Sequence, residues 1–167
     1  RQGIIQRLFP GVAFAIGNSE AQIVHCVGST TYSFDNQQAI TDSTLFDLAS
    51  LTKVIATASV AKVFVESGQL NLDEPILERP ELSVRNLLLH NSGLPPYRNF
   101  HVESPISPNI RDQILATPLE AAPGARVAYS CLGFVVLQHF LESISGNTLD
   151  DLFANLVVGP LGIETIR

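Results

Sequence analysis

One segment constrains the rest of the chain. Over residues 50–67, Leu51, Val54, Ile55, Ala58, Ala61, Phe64 and Val65 recur at helical spacing, and Gly68 follows where a helix-ending glycine belongs. Apolar or small residues occupy nearly every face, which is the pattern of a buried central helix rather than a surface one. The composition supplies material to cover it: 46% of the residues are hydrophobic and 16% charged, against about 25% charged in an average soluble domain. That balance excludes a disordered chain. A formal net charge of −6 with two lysines excludes a nucleic-acid binder driven by basic charge. Two cysteines exclude a disulfide scaffold or a four-thiolate zinc site. No apolar run spans a bilayer; 11–17 is too short and 54–65 is interrupted by polar residues.

Around that helix the other elements are short. Residues 12–16 and 22–27, joined by the turn cluster Gly17-Asn18-Ser19-Glu20, read as a β-hairpin with one buried face. A lone hairpin is marginal in water, so it is expected to join a larger sheet or to pack on helices. No further strand is evident: 29–47 is polar and turn-rich, and 72–80 reads as a loop containing Pro75. Ser83 is placed to cap a short helix over 84–90, which Asn91-Ser92-Gly93-Leu94-Pro95-Pro96 ends. Further helices are expected over 110–116, over 132–145 before Gly146-Asn147, and from a Thr148 cap to about 159. Gly159-Pro160-Leu161-Gly162 reads as a turn. The class is mixed α and β, helix-dominated, in one unit.

The chemistry starts at the head of the central helix. Ser50 and Lys53, three apart, lie on one helical face. If that face is buried, the ammonium is desolvated and its pKa falls. A neutral amine beside a hydroxyl can take its proton, which makes the serine a nucleophile. Ser50 also sits at the helix start, where free N–H groups and the dipole favour a developing oxyanion. Spacing alone proves little, since Ser59 and Lys62 repeat it. Ser59, however, is mid-helix and points away from the Ser50 face. At this point Ser50 stands as either a nucleophile or a helix cap.

Two more segments bear on that choice. Leu89-His90-Asn91-Ser92-Gly93-Leu94 forms a helix-to-loop exit, and Ala128-Tyr129-Ser130-Cys131-Leu132-Gly133 puts a tyrosine just before an apolar helix. With Phe46-Asp47-Leu48-Ala49-Ser50-Leu51-Thr52-Lys53 they resemble, in order and over nearly the whole chain, the serine β-lactamase and penicillin-binding-protein superfamily. The likeness is to the branch of class C β-lactamases with their esterase and D-aminopeptidase relatives. It implies an α+β fold, the α/β sandwich of the β-lactamase/transpeptidase type, of which the hairpin and the helix-rich part are present. It also implies Ser50 as the acylated nucleophile, Lys53 as its activator and Tyr129 as a partner in the acid/base work. Taken alone, Tyr129 would be a half-buried packing residue. A phenol, with a reference pKa near 10, must be held near a cation such as Lys53 to act as a base at neutral pH. His90, Ser92 and Gly93 match a segment read as mostly structural.

Two departures from the family pattern stand out. Cys131 occupies the place of the asparagine in the Tyr-x-Asn motif, whose amide contacts substrate. A thiol is a weak hydrogen-bond partner, which puts substrate preference in doubt. Cys131 is otherwise a plain buried cysteine, or a reactive thiol if set near a cation. The third family motif, Lys or His followed by Thr or Ser and Gly, is missing from the chain.

The resulting expectation is a serine hydrolase acting through an acyl-enzyme on an ester or amide: a β-lactam, a D-amino-acid peptide or a carboxylic ester. The alternative is a catalytically impaired binding or regulatory relative. Residues 1–167 are read as one incomplete domain, its N-terminal part, inactive by itself; the absence of Met at position 1 points the same way. No metal or organic cofactor is needed. The partner is a small-molecule or peptide substrate, with no nucleic acid and no transmembrane segment. His25, His101 and His139 share no metal-ligand spacing and read as packing or surface residues. Asp150 and Asp151 suit the dipole of a first helical turn.

Overall fold

The computed structural model describes residues 1–76, 78–100 and 110–163, and the chain divides into two units, Arg1–Asp47 and Leu48–Arg167. The first holds a short helix α1 (Gln2–Ile5) and the hairpin of β1 (Gly11–Gly17) and β2 (Gln22–Gly28). The strands pair antiparallel from Gly11 opposite Gly28 to Gly17 opposite Gln22. The Asn18 side-chain carbonyl holds the turn by accepting from the Glu20 and Ala21 amides at 2.9 and 3.0 Å. The buried face expected of this hairpin is not found: Phe14, Ile16, Ile23 and Val24 are all exposed. Two strands give each side chain a neighbour but no second layer to bury against. In this unit only Ile40 is buried, and a Cβ on Gly11 would lie 2.5 Å from its side chain.

The second unit opens on the central helix. The amides of Leu51, Thr52 and Lys53 bond the carbonyls of Leu48, Ala49 and Ser50, three residues back, at 2.9–3.2 Å. Lys53–Ala58 is then π-helical and α2 (Ser59–Glu66) completes the element. Gly68, at φ +73°, follows its end. The helix is buried along one side, through Ala56, Thr57, Val60, Ala61 and Phe64, and not on every face. Leu51 and Val54 are 56% and 59% exposed. A π turn closes over five residues rather than four. It rotates Leu51 and Val54 off the stripe that the α-helical part buries.

Residues 72–80, expected as a loop, contribute instead to a small antiparallel pair, β3 (Pro75–Ile76) with β4 (Arg79–Ser83). The strands are too short for alternation to show in the sequence, but Ile76 and Leu82 are fully buried and anchor them. Arg79 ties this pair to α4 (Ile110–Leu115). Its Nη1 donates to the Leu115 and Thr117 carbonyls at 2.7 and 3.0 Å, and its Nε to Glu81 at 2.6 Å. Losing those charge-assisted bonds at a mostly buried guanidinium is expected to cost about 2 kcal/mol. Urea unfolding of Arg79→Ala measures it, and Arg79→Lys recovers only part, since an ammonium cannot reproduce the fork.

The remaining helices follow their caps. Ser83 and Asn86 form a reciprocal capping box at the head of α3 (Val84–Leu88). Ser130 caps α5 (Cys131–Ser145) by accepting from the Gly133 amide, and Gly146, at φ +71°, ends it. Thr148 caps α6 (Leu149–Phe153), which continues through a π-helical stretch, Ala154–Val158, into α7 (Gly159–Leu161). The supposed turn at 159–162 is thus the last helical turn and its left-handed cap at Gly162. The core of this unit joins Val60 and Phe64 of α2 to Leu82, Leu87, Leu137 and Leu141. The architecture is α+β.

Candidate active site

Lys53 Nζ donates to Ser50 Oγ at 3.1 Å. Ser50 is exposed and Lys53 half-buried. The residue before the serine, Ala49, adopts φ +44°, a conformation an L residue with a Cβ rarely takes. The cluster of free amides expected at this helix start is absent, because those of Leu51, Thr52 and Lys53 are used in the tight opening turns. Among the described residues, the Ser50 N–H donates to no backbone or side-chain acceptor. The second Ser-x-x-Lys pair is spent on its own helix: Ser59 Oγ donates to the Val54 carbonyl at 3.1 Å, and Lys62 pairs with Glu66 at 2.6 Å.

Tyr129 also lies near the amine. Lys53 Nζ is 5.4 Å from the centroid of its ring, and the tyrosine is 51% exposed. The ammonium is presented to the face of the ring. The structure therefore brings Ser50, Lys53 and Tyr129 together within one unit. Cys131, two residues on, opens α5, free and only half-buried, with its amide donating to the Pro96 carbonyl at 2.9 Å.

A loop and a facing segment fix Tyr129. The carbonyls of His90, Asn91 and Gly93 accept from the amides of Ala128, Gly124 and Glu120 at 2.8, 2.7 and 2.8 Å. The buried Ser130 hydroxyl donates to the Pro95 carbonyl at 2.8 Å. Gly93 is required by this approach: at φ +81°, a Cβ would lie 2.0 Å from the Ala121 carbonyl oxygen. His90, read from the sequence as a structural loop residue, takes φ +54°. Its Nδ1 accepts from the Ser130 amide at 3.1 Å, and its ring lies against Tyr129 and Phe134. Burial, and then the positive charge of Lys53, hold its imidazole below the ordinary histidine value. Sequence reasoning missed this contribution, whose only signal was that His90 and Tyr129 fall in matching motifs.

The other candidates lie elsewhere. His25 packs on Phe14 at 5.3 Å, His139 faces Glu142 at 3.4 Å, and Asp150 and Asp151 occupy the first turn of α6. His101 lies outside the described residues. Among the described residues no three His, Cys, Asp or Glu side chains gather as a metal site. Among them, too, no helix is long and apolar enough to cross a membrane.

The family profile described as Beta-lactamase matches residues 1–166. A protein of Escherichia coli (strain K12) named "Putative D-alanyl-D-alanine carboxypeptidase" is 30% identical over 145 residues, which cover 74% of this chain and 33% of that protein. The chain thus spans about a third of the length of this curated relative. Among solved structures, D-amino acid amidase from Ochrobactrum anthropi SV3, complexed with L-phenylalanine, has a TM-score of 0.76 at 26% identity. The match covers 96% of this chain and 47% of the amidase. A class C beta lactamase superimposes with a TM-score of 0.81 at 23% identity, over 96% of this chain and 46% of the lactamase, a likeness of fold.

Proposed function

The chain belongs to the beta-lactamase family, and from that membership we propose that it serves a serine hydrolase that works through an acyl-enzyme on an ester or amide. The observation that carries this reading is the 3.1 Å contact between Lys53 Nζ and Ser50 Oγ. In its neutral form Lys53 accepts the Ser50 proton, and Oγ attacks the substrate carbonyl carbon. The unengaged Ser50 N–H is available to the oxyanion. Collapse expels the leaving group, which takes up the proton held by Lys53 and shared with Tyr129. Water then attacks the ester carbonyl, releasing the carboxylic acid and restoring the Ser50 hydroxyl. Cys131 contacts the substrate. We read residues 1–167 as belonging to one such hydrolase domain.

β-Lactams, D-amino-acid peptides and carboxylic esters all present the required carbonyl. Two relatives carry D-amino-acid substrates in their names, a carboxypeptidase and an amidase, and this favours D-amino-acid amides and peptides. A fluorophosphonate or a fluorescent penicillin, applied to the protein as its gene encodes it, tests the proposal. Intact mass and peptide mapping are expected to place the adduct on Ser50 and to find none in Ser50→Ala. Folded protein that no probe labels at Ser50 would overturn the reading. A second reading, a relative that binds without turnover, is favoured by Cys131 in the asparagine position. Under it, adducts form slowly and persist, and Cys131→Asn raises their release sharply.

A further inference from the structure

We propose that His90 is a positioning residue that sets Tyr129 against Lys53 by gripping the chain on both sides of it. This rests on the reading of Tyr129 as part of the proton-transfer apparatus. One residue supplies three holds. The His90 carbonyl accepts from the Ala128 amide at 2.8 Å, just before the tyrosine. His90 Nδ1 accepts from the Ser130 amide at 3.1 Å, just after it. Between them the imidazole lies against the phenol ring, with centroids 4.6 Å apart and planes inclined by 39°. Phe134 of α5 backs the same imidazole at 5.0 Å. The left-handed backbone of His90, at φ +54°, aims the carbonyl and the ring at the same stretch of chain. A histidine holds that conformation only where its surroundings over-determine it.

The grip depends on protonation. To accept the Ser130 N–H, Nδ1 must offer a lone pair, so the ring is neutral and carries its proton on Nε2. The titratable groups facing it are Lys53 from the central helix and Tyr129 itself; Phe134 is apolar. Burial and the Lys53 charge both oppose the imidazolium, in line with a pKa below the ordinary value of 6.5. Protonating Nδ1 sets one N–H against another and releases the segment that carries Tyr129. The unfolded chain takes up this proton at a higher pH than the folded one. Stability from this group is therefore full above 6.5 and is lost as pH falls through the folded value.

Two variants separate the hold from the ring. In His90→Asn the side-chain oxygen stands where Nδ1 stood, the positive φ is tolerated and nothing titrates. His90→Leu removes the acceptor. With the protein as its gene encodes it, Asn is expected to keep the rate of Ser50 labelling at neutral pH within about threefold. It should also remove the His90 component from the acid limb of the pH profile. Leu is expected to slow labelling roughly 30-fold or more, since displacing a reacting group by about 1 Å costs on the order of 10²-fold. A second readout needs no activity: the ring resonances of ¹³C-labelled Tyr129 should shift with a midpoint below 6.5, and should not in His90→Asn. A Tyr129 signal indifferent to that titration overturns the proposal, as does a Leu variant that labels at the wild-type rate. If Leu fails to fold, the Asn profile and the resonance decide. If wild-type Ser50 never labels, the hydrolase reading fails, and the resonance alone still tests the grip.

Discussion

Replacing Lys53 with alanine is expected to slow acylation of Ser50 by about 10²–10⁴-fold, the range for loss of a positioned general base. Lys62→Ala should leave the rate unchanged. The two lysines share a sequence pattern and differ in what they touch. Lys53 Nζ meets the serine hydroxyl at 3.1 Å and the face of Tyr129, whereas Lys62 is committed to Glu66 on an exposed face. Lys53 is half-buried and takes no part in the hydrophobic core. Its truncation forfeits one exposed hydrogen bond and one ring-face contact, about 1 kcal/mol in all, so thermal melts should show both variants well folded. Removing the charge also removes one of the influences that lower the His90 pKa, and the imidazole should then titrate higher. Stopped-flow labelling with an active-site probe measures the rate. A Lys53→Ala variant that acylates as fast as wild type would exclude Lys53 from the proton transfer.

Gly93→Ala is expected to destabilise the fold by about 3 kcal/mol, the sum of a left-handed L residue and a backbone forced to shift. The new Cβ would meet the Ala121 carbonyl oxygen at 2.0 Å, a backbone atom that cannot rotate away. Gly146→Ala is the control: its φ is +71° but no atom lies within 4 Å of the added carbon. It should cost only about 1 kcal/mol, for the conformation alone. Guanidinium unfolding of the pair separates strain from collision. Equal losses in the two variants would mean that the 90–96 loop yields easily.

The two predictions mark what was legible in the sequence. Wherever a cap or glycine punctuates a periodic run, the reading was close. Ser83 before α3, Gly68 after α2 and Gly146 after α5 all lie where their side chains or φ angles demand. Motif order rather than spacing singled out Ser50, Lys53 and Tyr129, and the structure sets Lys53 Nζ 3.1 Å from Ser50 Oγ and 5.4 Å from the Tyr129 ring centroid. What the sequence hid was non-local or non-standard. The π-helical stretch Lys53–Ala58 turned Leu51 and Val54 outward, and no periodicity rule anticipates that. β3 and β4 are too short to alternate, and Arg79 reaches carbonyls 36 and 38 residues away. The left-handed backbone of Ala49 is likewise set by what surrounds it, since alanine rarely adopts it.

The bonds between the 90–96 loop and the facing segment all run one way. The amides of Glu120, Gly124, Ala128, Ser130 and Cys131 give, and the acceptors on His90, Asn91, Gly93 and Pro96 receive. A helix bounds one end of each segment: α3 precedes the loop, and α5 begins at Cys131. Hydrogen exchange at the Ala128, Ser130 and Cys131 amides, next to α5, is expected to report one shared opening event. Tyr129 sits inside that unit, so its placement is all-or-none: while the unit is closed the phenol keeps its distance from the amine, and once it opens the alignment is gone.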